Sequence, residues 1–182
     1  NTTQLTVGDV SPTGTNSATL TGTGFTTAGS DLLNGTSSNY IAGFTPIKNA
    51  LAIDGIGDYV SVADDATLDF TSDFTIELWA KNAGSGTQTL ISKRNAGEGY
   101  DLVHNGTAFV FTVEDNGASQ AVVTHTATFA TTWTHIAASY NATTGAATIY
   151  INGALGTSTV GTSSLNVGAT NAETFRMGAN GA

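Results

Sequence analysis

Six residues, Phe74-Thr75-Ile76-Glu77-Leu78-Trp79, alternate apolar and polar without a break until the final Trp. Successive side chains of a strand point to opposite faces, so Phe74, Ile76 and Leu78 share one face and Thr75, Glu77 and Trp79 the other. A strand with one apolar face must bury it against a second layer. The rest of the chain reads in the same way. Strands are expected over residues 4–10, 18–25, 51–53, 59–62, 74–79, 89–93, 100–104, 107–113, 120–126, 135–140, 147–151, 165–168 and 174–177. Asn105-Gly106, Asn116-Gly117 and Asn152-Gly153 each separate two of these runs or follow one. Asn-Gly is the strongest short-range hairpin signal, because both central residues of the tightest turn need positive φ. No window repeats apolar residues at helical spacing. Turn signals about every ten residues predict an all-β, antiparallel two-sheet sandwich.

Charge narrows the function. The net charge is −9, with five Lys and Arg against fourteen Asp and Glu. Nucleic acid needs a basic face for its phosphates, so no nucleic-acid partner is expected. Anionic membrane is disfavoured for the same reason, and no apolar run is long enough to insert as a spanning helix. The chain has no Cys, which removes disulfides, thiol catalysis and Cys-based metal sites. An acidic, Thr-, Gly- and Asn-rich chain suits neutral glycans or divalent cations.

Several motifs fall in a recognisable order: Asp54-Gly55, Asp58-Tyr59-Val60-Ser61-Val62, Leu68, Phe74 to Trp79, Leu90-Ile91-Ser92-Lys93, Gly99-Tyr100-Asp101-Leu102, Trp133-Thr134-His135-Ile136-Ala137, Ile149-Tyr150-Ile151-Asn152-Gly153 and Phe175-Arg176-Met177-Gly178. Over about residues 50 to 178 the chain resembles the laminin-G-like domains of the concanavalin A-like jelly-roll superfamily. The resemblance implies a jelly roll over residues 46–182, preceded by an N-terminal β-extension, residues 1–45. It also implies that Trp133 is a core residue with His135 packed beside it. The family usually follows Phe/Leu-Arg-x-Gly with one more strand, of the type Gly-x-Ile-Asp-Asp-Val-Arg-Ile-Tyr, which has no counterpart here. The expected remedy is that the N-terminal strands fill the slot. The rivals are a neighbouring subunit, by donor-strand addition through an open sheet edge, or a longer native chain.

Catalysis finds little support. A retaining glycan hydrolase needs two carboxyls about 5 Å apart. The four Glu residues, Glu77, Glu98, Glu114 and Glu173, have no acidic partner at two or four residues along a strand. No Ser occupies a Gly-x-Ser-x-Gly elbow to work with His104, His125 or His135. Calcium is the cofactor the sequence fits best. Asp54-Gly55-Ile56-Gly57-Asp58 offers two carboxylates and glycine-freed carbonyls, which suit a hard cation, and many members of the resembled family bind calcium at a sandwich rim. Asp64, Asp65 and Asp69 form a rival acidic set. For a glycan, recognition needs aromatic faces beside planar polar groups, and the selected ligand residues are Trp79, Tyr100 and Asn105.

The expected protein is a non-catalytic, surface-exposed recognition or adhesion module. It binds glycan or protein, with calcium assisting, at an extracellular, cell-surface or virion-surface location. The alternative is a structural subunit or decoration of a phage particle or extracellular filament, assembled by β-augmentation. A glycan hydrolase ranks last.

Overall fold

The structure is a computed structural model that describes residues 5–8, 17–21, 50–53, 57–82, 84–95, 97–115, 119–163, 165 and 171–179. Among the described residues twelve strands follow one another: β1 (Leu5–Gly8), β2 (Ser17–Thr21), β3 (Tyr59–Val62), β4 (Phe74–Ala80), β5 (Gln88–Arg94), β6 (Gly99–His104), β7 (Ala108–Asp115), β8 (Ser119–Thr126), β9 (Thr134–Asn141), β10 (Ala146–Ile151), β11 (Ala154–Val160) and β12 (Phe175–Met177). They form two antiparallel sheets. One has eight strands in the order β1-β2-β3-β12-β5-β6-β7-β8, and the other four in the order β11-β10-β9-β4. The expected sandwich is present. A single 3₁₀ turn, Ala66–Leu68, interrupts the strands among the described residues; it is capped by the Asp65 carboxylate, which accepts from Thr67 N.

The inward residues of both sheets meet as alternation requires. Phe74 stacks on Phe70 at 4.6 Å, touches Tyr100 at 5.4 Å and Tyr140 at 5.9 Å, and meets Phe111 edge-on at 6.0 Å between ring centroids. Leu102, Val113, Val123, Ile136 and Ile149 are fully buried around them. Burying one such side chain contributes about 1.5–3 kcal/mol, so the core outweighs any single surface contact. A second ring cluster, His104, Phe109 and Phe129, closes the other part of the interior, with His104 Nε2 3.0 Å from the Ala127 carbonyl.

Among the described residues, one ammonium is fully enclosed. The Lys93 side chain has no exposed surface, and Nζ donates to Asp64 Oδ1 at 2.9 Å, Asp69 Oδ1 at 2.7 Å and the Asn171 carbonyl at 2.8 Å. Asn171 also donates through Nδ2 to the carbonyls of Lys93 and Glu98. Gly99 sits against this clasp at φ 113°, where a side chain would strike Lys93 O and the Asn171 amide. Only glycine fits there.

Several expectations change. The N-terminal strands do join the sandwich: β2 pairs with β3 at the outer edge of the large sheet, while β4 remains an edge of the small sheet among the described residues. Strand β11 was not expected, because Ala-Leu-Gly-Thr-Ser-Thr-Val carries a glycine, small residues and little alternation; it is supplied by the hairpin at Asn152-Gly153. Leu165 is buried but lies in no strand, and residues 166–168 fall outside the described residues. Asn152 and Gly153 both take positive φ, 51° and 76°, as the tight turn demands. At Asn105-Gly106 only Gly106 does, at 98°. Asn105 instead caps the turn, its Oδ1 accepting from Thr107 N and Ala108 N. Asn116-Gly117 lies outside the described residues.

Candidate functional site

Strand pairing fixes what the small sheet shows to solvent. The register Thr75↔Ser139, Glu77↔Ala137 and Trp79↔His135 continues into β10 as Ser139↔Thr148 and Ala137↔Tyr150. Since Phe74, Ile76, Ala138 and Ile149 point inward, these partners form the outward face. At one end of that face stand both tryptophans of the chain, Trp79 at 64% exposure and Trp133 at 48%. The His135 ring lies 5.2 Å from that of Trp79, and its Nε2 is 3.5 Å from Glu77 Oε2. The Lys81 ammonium sits 5.6 Å from the Trp133 ring centroid. An ammonium over an indole face is attracted by the ring quadrupole, which holds the side chain flat against the sheet end.

Two asparagines hold this end in place. Asn152, at the tip of the β10–β11 hairpin, accepts from His135 N at 2.9 Å through Oδ1 and donates its own N–H to His135 O at 2.8 Å. Asn82, just after Lys81, donates from Nδ2 to Phe129 O and from its backbone N–H to Ala130 O. The chain on either side of the patch is therefore tied to the framework. Two large indoles exposed at one sheet end are costly in water, because each keeps apolar area hydrated that a core would hide. Their flat faces, with a carboxylate, an imidazole and an ammonium alongside, can stack on a sugar ring and hydrogen-bond its hydroxyls.

Trp79 stands outward on β4, as its alternation implied. Trp133 is not the core residue that the resemblance implied: it is half-exposed just before β9, with the Lys81 ammonium over its ring, while Ile136 and Ala138 take the inward positions of β9. Tyr100 is a correction. It has no exposed surface, packs on Phe70 and Phe74, and donates its hydroxyl to Leu68 O at 3.2 Å, so no ligand reaches it. Burial, and then the Asp69 carboxylate, push its phenol well above the ordinary tyrosine range. Asn105 is exposed on the β6–β7 hairpin of the other sheet, where its side-chain oxygen is engaged in the turn. The three selected ligand residues do not converge. Sequence reasoning missed His135 as the ring neighbour of Trp79, Lys81 as the cation over Trp133 and Asn152 as the partner of the His135 backbone; the parity of β9 was the available signal for His135.

The metal candidates are separated. Asp54 lies outside the described residues, while Asp58 is buried and engaged within the chain. In the rival set, the Lys93 ammonium occupies the position between Asp64 and Asp69 that a cation would take. Asp65 caps the 3₁₀ turn. No group of three potential metal ligands occurs among the described residues. Asp101 and Glu114 on neighbouring strands of the large sheet both bond one guanidinium, Arg94, at 3.0 Å and 2.6 Å. A retaining pair needs one protonated carboxyl and one available carboxylate, which an arginine bridge opposes.

Comparison with known proteins agrees with this geometry. The laminin-G-like profile of the concanavalin A-like lectin/glucanases superfamily matches residues 54–182. No curated protein matches the chain. Among solved structures, a botulinum neurotoxin type C structure, whose cell entry is described as dependent on two ganglioside molecules, aligns over 100% of this chain and 39% of its own at 15% identity and TM-score 0.56. The binding domain of botulinum neurotoxin DC in complex with SialylT aligns over 98% of this chain and 39% of its own, at 14% identity and TM-score 0.55. The serotype C1 binding domain aligns over 69% and 32%, at 19% identity and TM-score 0.54. The chain thus spans about a third to two-fifths of the length of these neighbours, and at such identities the likeness is one of fold. With the sheet order, the motif order and the profile in agreement, the chain belongs to the laminin-G-like family of the concanavalin A-like lectin/glucanases superfamily.

Proposed function

We propose that this domain is a non-catalytic, surface-exposed glycan-recognition module, and that its binding surface is the outward face of the small sheet around Trp79. One observation carries the reading: both tryptophans of the chain are exposed together at one sheet end, with His135, Glu77 and Lys81 beside them. The ganglioside and SialylT named for the neurotoxin neighbours support a glycan as the ligand class. An extracellular, cell-surface or virion-surface setting follows from that role. The test is a glycan array on the purified chain, with and without EDTA. Selective binding is expected, and a blank array contradicts the reading. Calcium is a separable part of the proposal, resting on Asp54 and Asp58. Loss of binding or a lower melting temperature in EDTA, reproduced by Asp58→Asn, is the result it requires. Binding that survives chelation removes calcium and leaves the aromatic surface standing.

A second reading is a structural subunit assembled by β-augmentation. It is favoured by β4, a seven-residue strand without proline that forms an edge of the small sheet among the described residues. Such an edge offers unpaired backbone groups to another strand. Sedimentation across a concentration series tests it: discrete growth in mass is expected, and a constant monomer mass removes it.

A further inference from the structure

We infer, resting on the glycan reading above, that the ligand is an uncharged linear oligosaccharide lying along β4, from the tryptophan end to a groove at the opposite end of the same sheet face. That groove is shallow and open, about 410 Å³, and its lining includes Asp73, Thr75, Ser139, Asn141 and Thr148. Thr75, Ser139 and Thr148 are register partners in one row across β4, β9 and β10. Trp79 and His135 form another row on the same face, and Glu77, Ala137 and Tyr150 lie between. Four residues separate Thr75 from Trp79, and six separate it from Lys81. At 3.3–3.4 Å per residue, these separations are about 13 Å and about 20 Å. Several sugar rings are needed to cover that distance.

The chemistry along the path is uniform. Hydroxyls line the groove, the small Ala137 leaves the middle row low, Glu77 stands open to accept hydrogen bonds from hydroxyls, and indole faces close the far end. Asp73 is held in position by Asn141 Nδ2 at 3.0 Å and Ala142 N at 2.7 Å, which keeps a carboxylate at the groove wall. A polyanionic chain would meet Asp73, Glu77 and the net charge of −9, while the Lys81 ammonium is held over Trp133. Neutral polyols avoid that repulsion and use the same acceptors. The face therefore selects against the acidic sugars that a direct transfer from the neurotoxin neighbours would suggest.

The experiment is a calorimetric titration of the full chain with cello-, manno- and galacto-oligosaccharides from the monosaccharide to the hexasaccharide, with a sialylated oligosaccharide as the anionic comparison. At least one neutral series should tighten about tenfold between disaccharide and hexasaccharide. Thr75→Arg, which fills the groove from an exposed position on the edge strand, should abolish that gain. Trp79→Ala should weaken every length. Affinity that is flat with length, a Thr75→Arg variant that keeps the gain, or preference for the sialylated sugar would overturn this inference while leaving a Trp79-dependent glycan site in place. Absence of all sugar binding, or indifference to Trp79→Ala, overturns the glycan reading itself. A concentration-dependent dimer dissolved by Thr75→Arg would assign the face to a second copy instead.

Discussion

A buried ammonium is tolerable only when its charge and donors are all answered, and Lys93 meets two carboxylates and a carbonyl. Removing it strands Asp64 and Asp69 beside each other. Lys93→Met should destabilise the domain by roughly 3–5 kcal/mol, toward the lower end because the Asp64 side chain remains 40% exposed. Denaturant unfolding measures this, and a loss below about 1 kcal/mol would place the pair among ordinary surface bridges. Tyr100 gives a pH test. Its folded-state phenol titrates above the unfolded one, so the folded state keeps a proton that the unfolded state releases. The stabilisation is fully present below the ordinary tyrosine value of about 10 and is lost as pH rises beyond it toward the folded value. Melting temperature should therefore fall above about pH 10, and Tyr100→Phe should flatten that fall. Neither clasp was legible locally: Lys93 and Asn171 are 78 positions apart. The Tyr100 error was avoidable, since Tyr100 and Leu102 share a parity in β6 that the apolar pattern assigns inward.

At the scale of elements, period two did most of the work. It oriented β4 correctly, and the same rule applied to β9 assigns His135 outward, against the packing that the family resemblance implied. Strand β11 stayed hidden because an exposed edge strand of small polar residues carries no apolar face to read. The β10–β11 hairpin links fold to site. Asn152 adopts φ 51° and bonds the His135 backbone. Asn152→Ala loses both, and should cost roughly 1–3 kcal/mol and weaken glycan affinity. Asn152→Gly keeps the turn but not the bond to His135 N, so it should show a smaller stability loss with a similar affinity loss. Melting curves and titrations of the two variants separate these effects. Gly99→Ala, which pushes a methyl into Lys93 O and the Asn171 amide, should reduce soluble yield or lower the melting temperature by several degrees.

For the whole molecule, the two-sheet architecture was legible because patterning, turns and motif order all pointed to it. β1 and β2 add to the β3 edge, and the sequence could not say which sheet edge would receive them. Function was harder, because a site on a sheet face is assembled by register between strands distant in sequence. Trp79 and His135 meet only because β4 and β9 pair. The central claim is that this outward tryptophan face is where the domain meets its ligand. Both tryptophans report on it directly, so the decisive measurement is the intrinsic fluorescence of the chain titrated with a glycan that scores on the array, alongside Trp79→Ala and Trp133→Ala. The account predicts a saturable fluorescence change in the native chain and at least about tenfold weaker binding in each variant, with melting temperatures within a few degrees of the native value. Equal affinity in all three chains would contradict it.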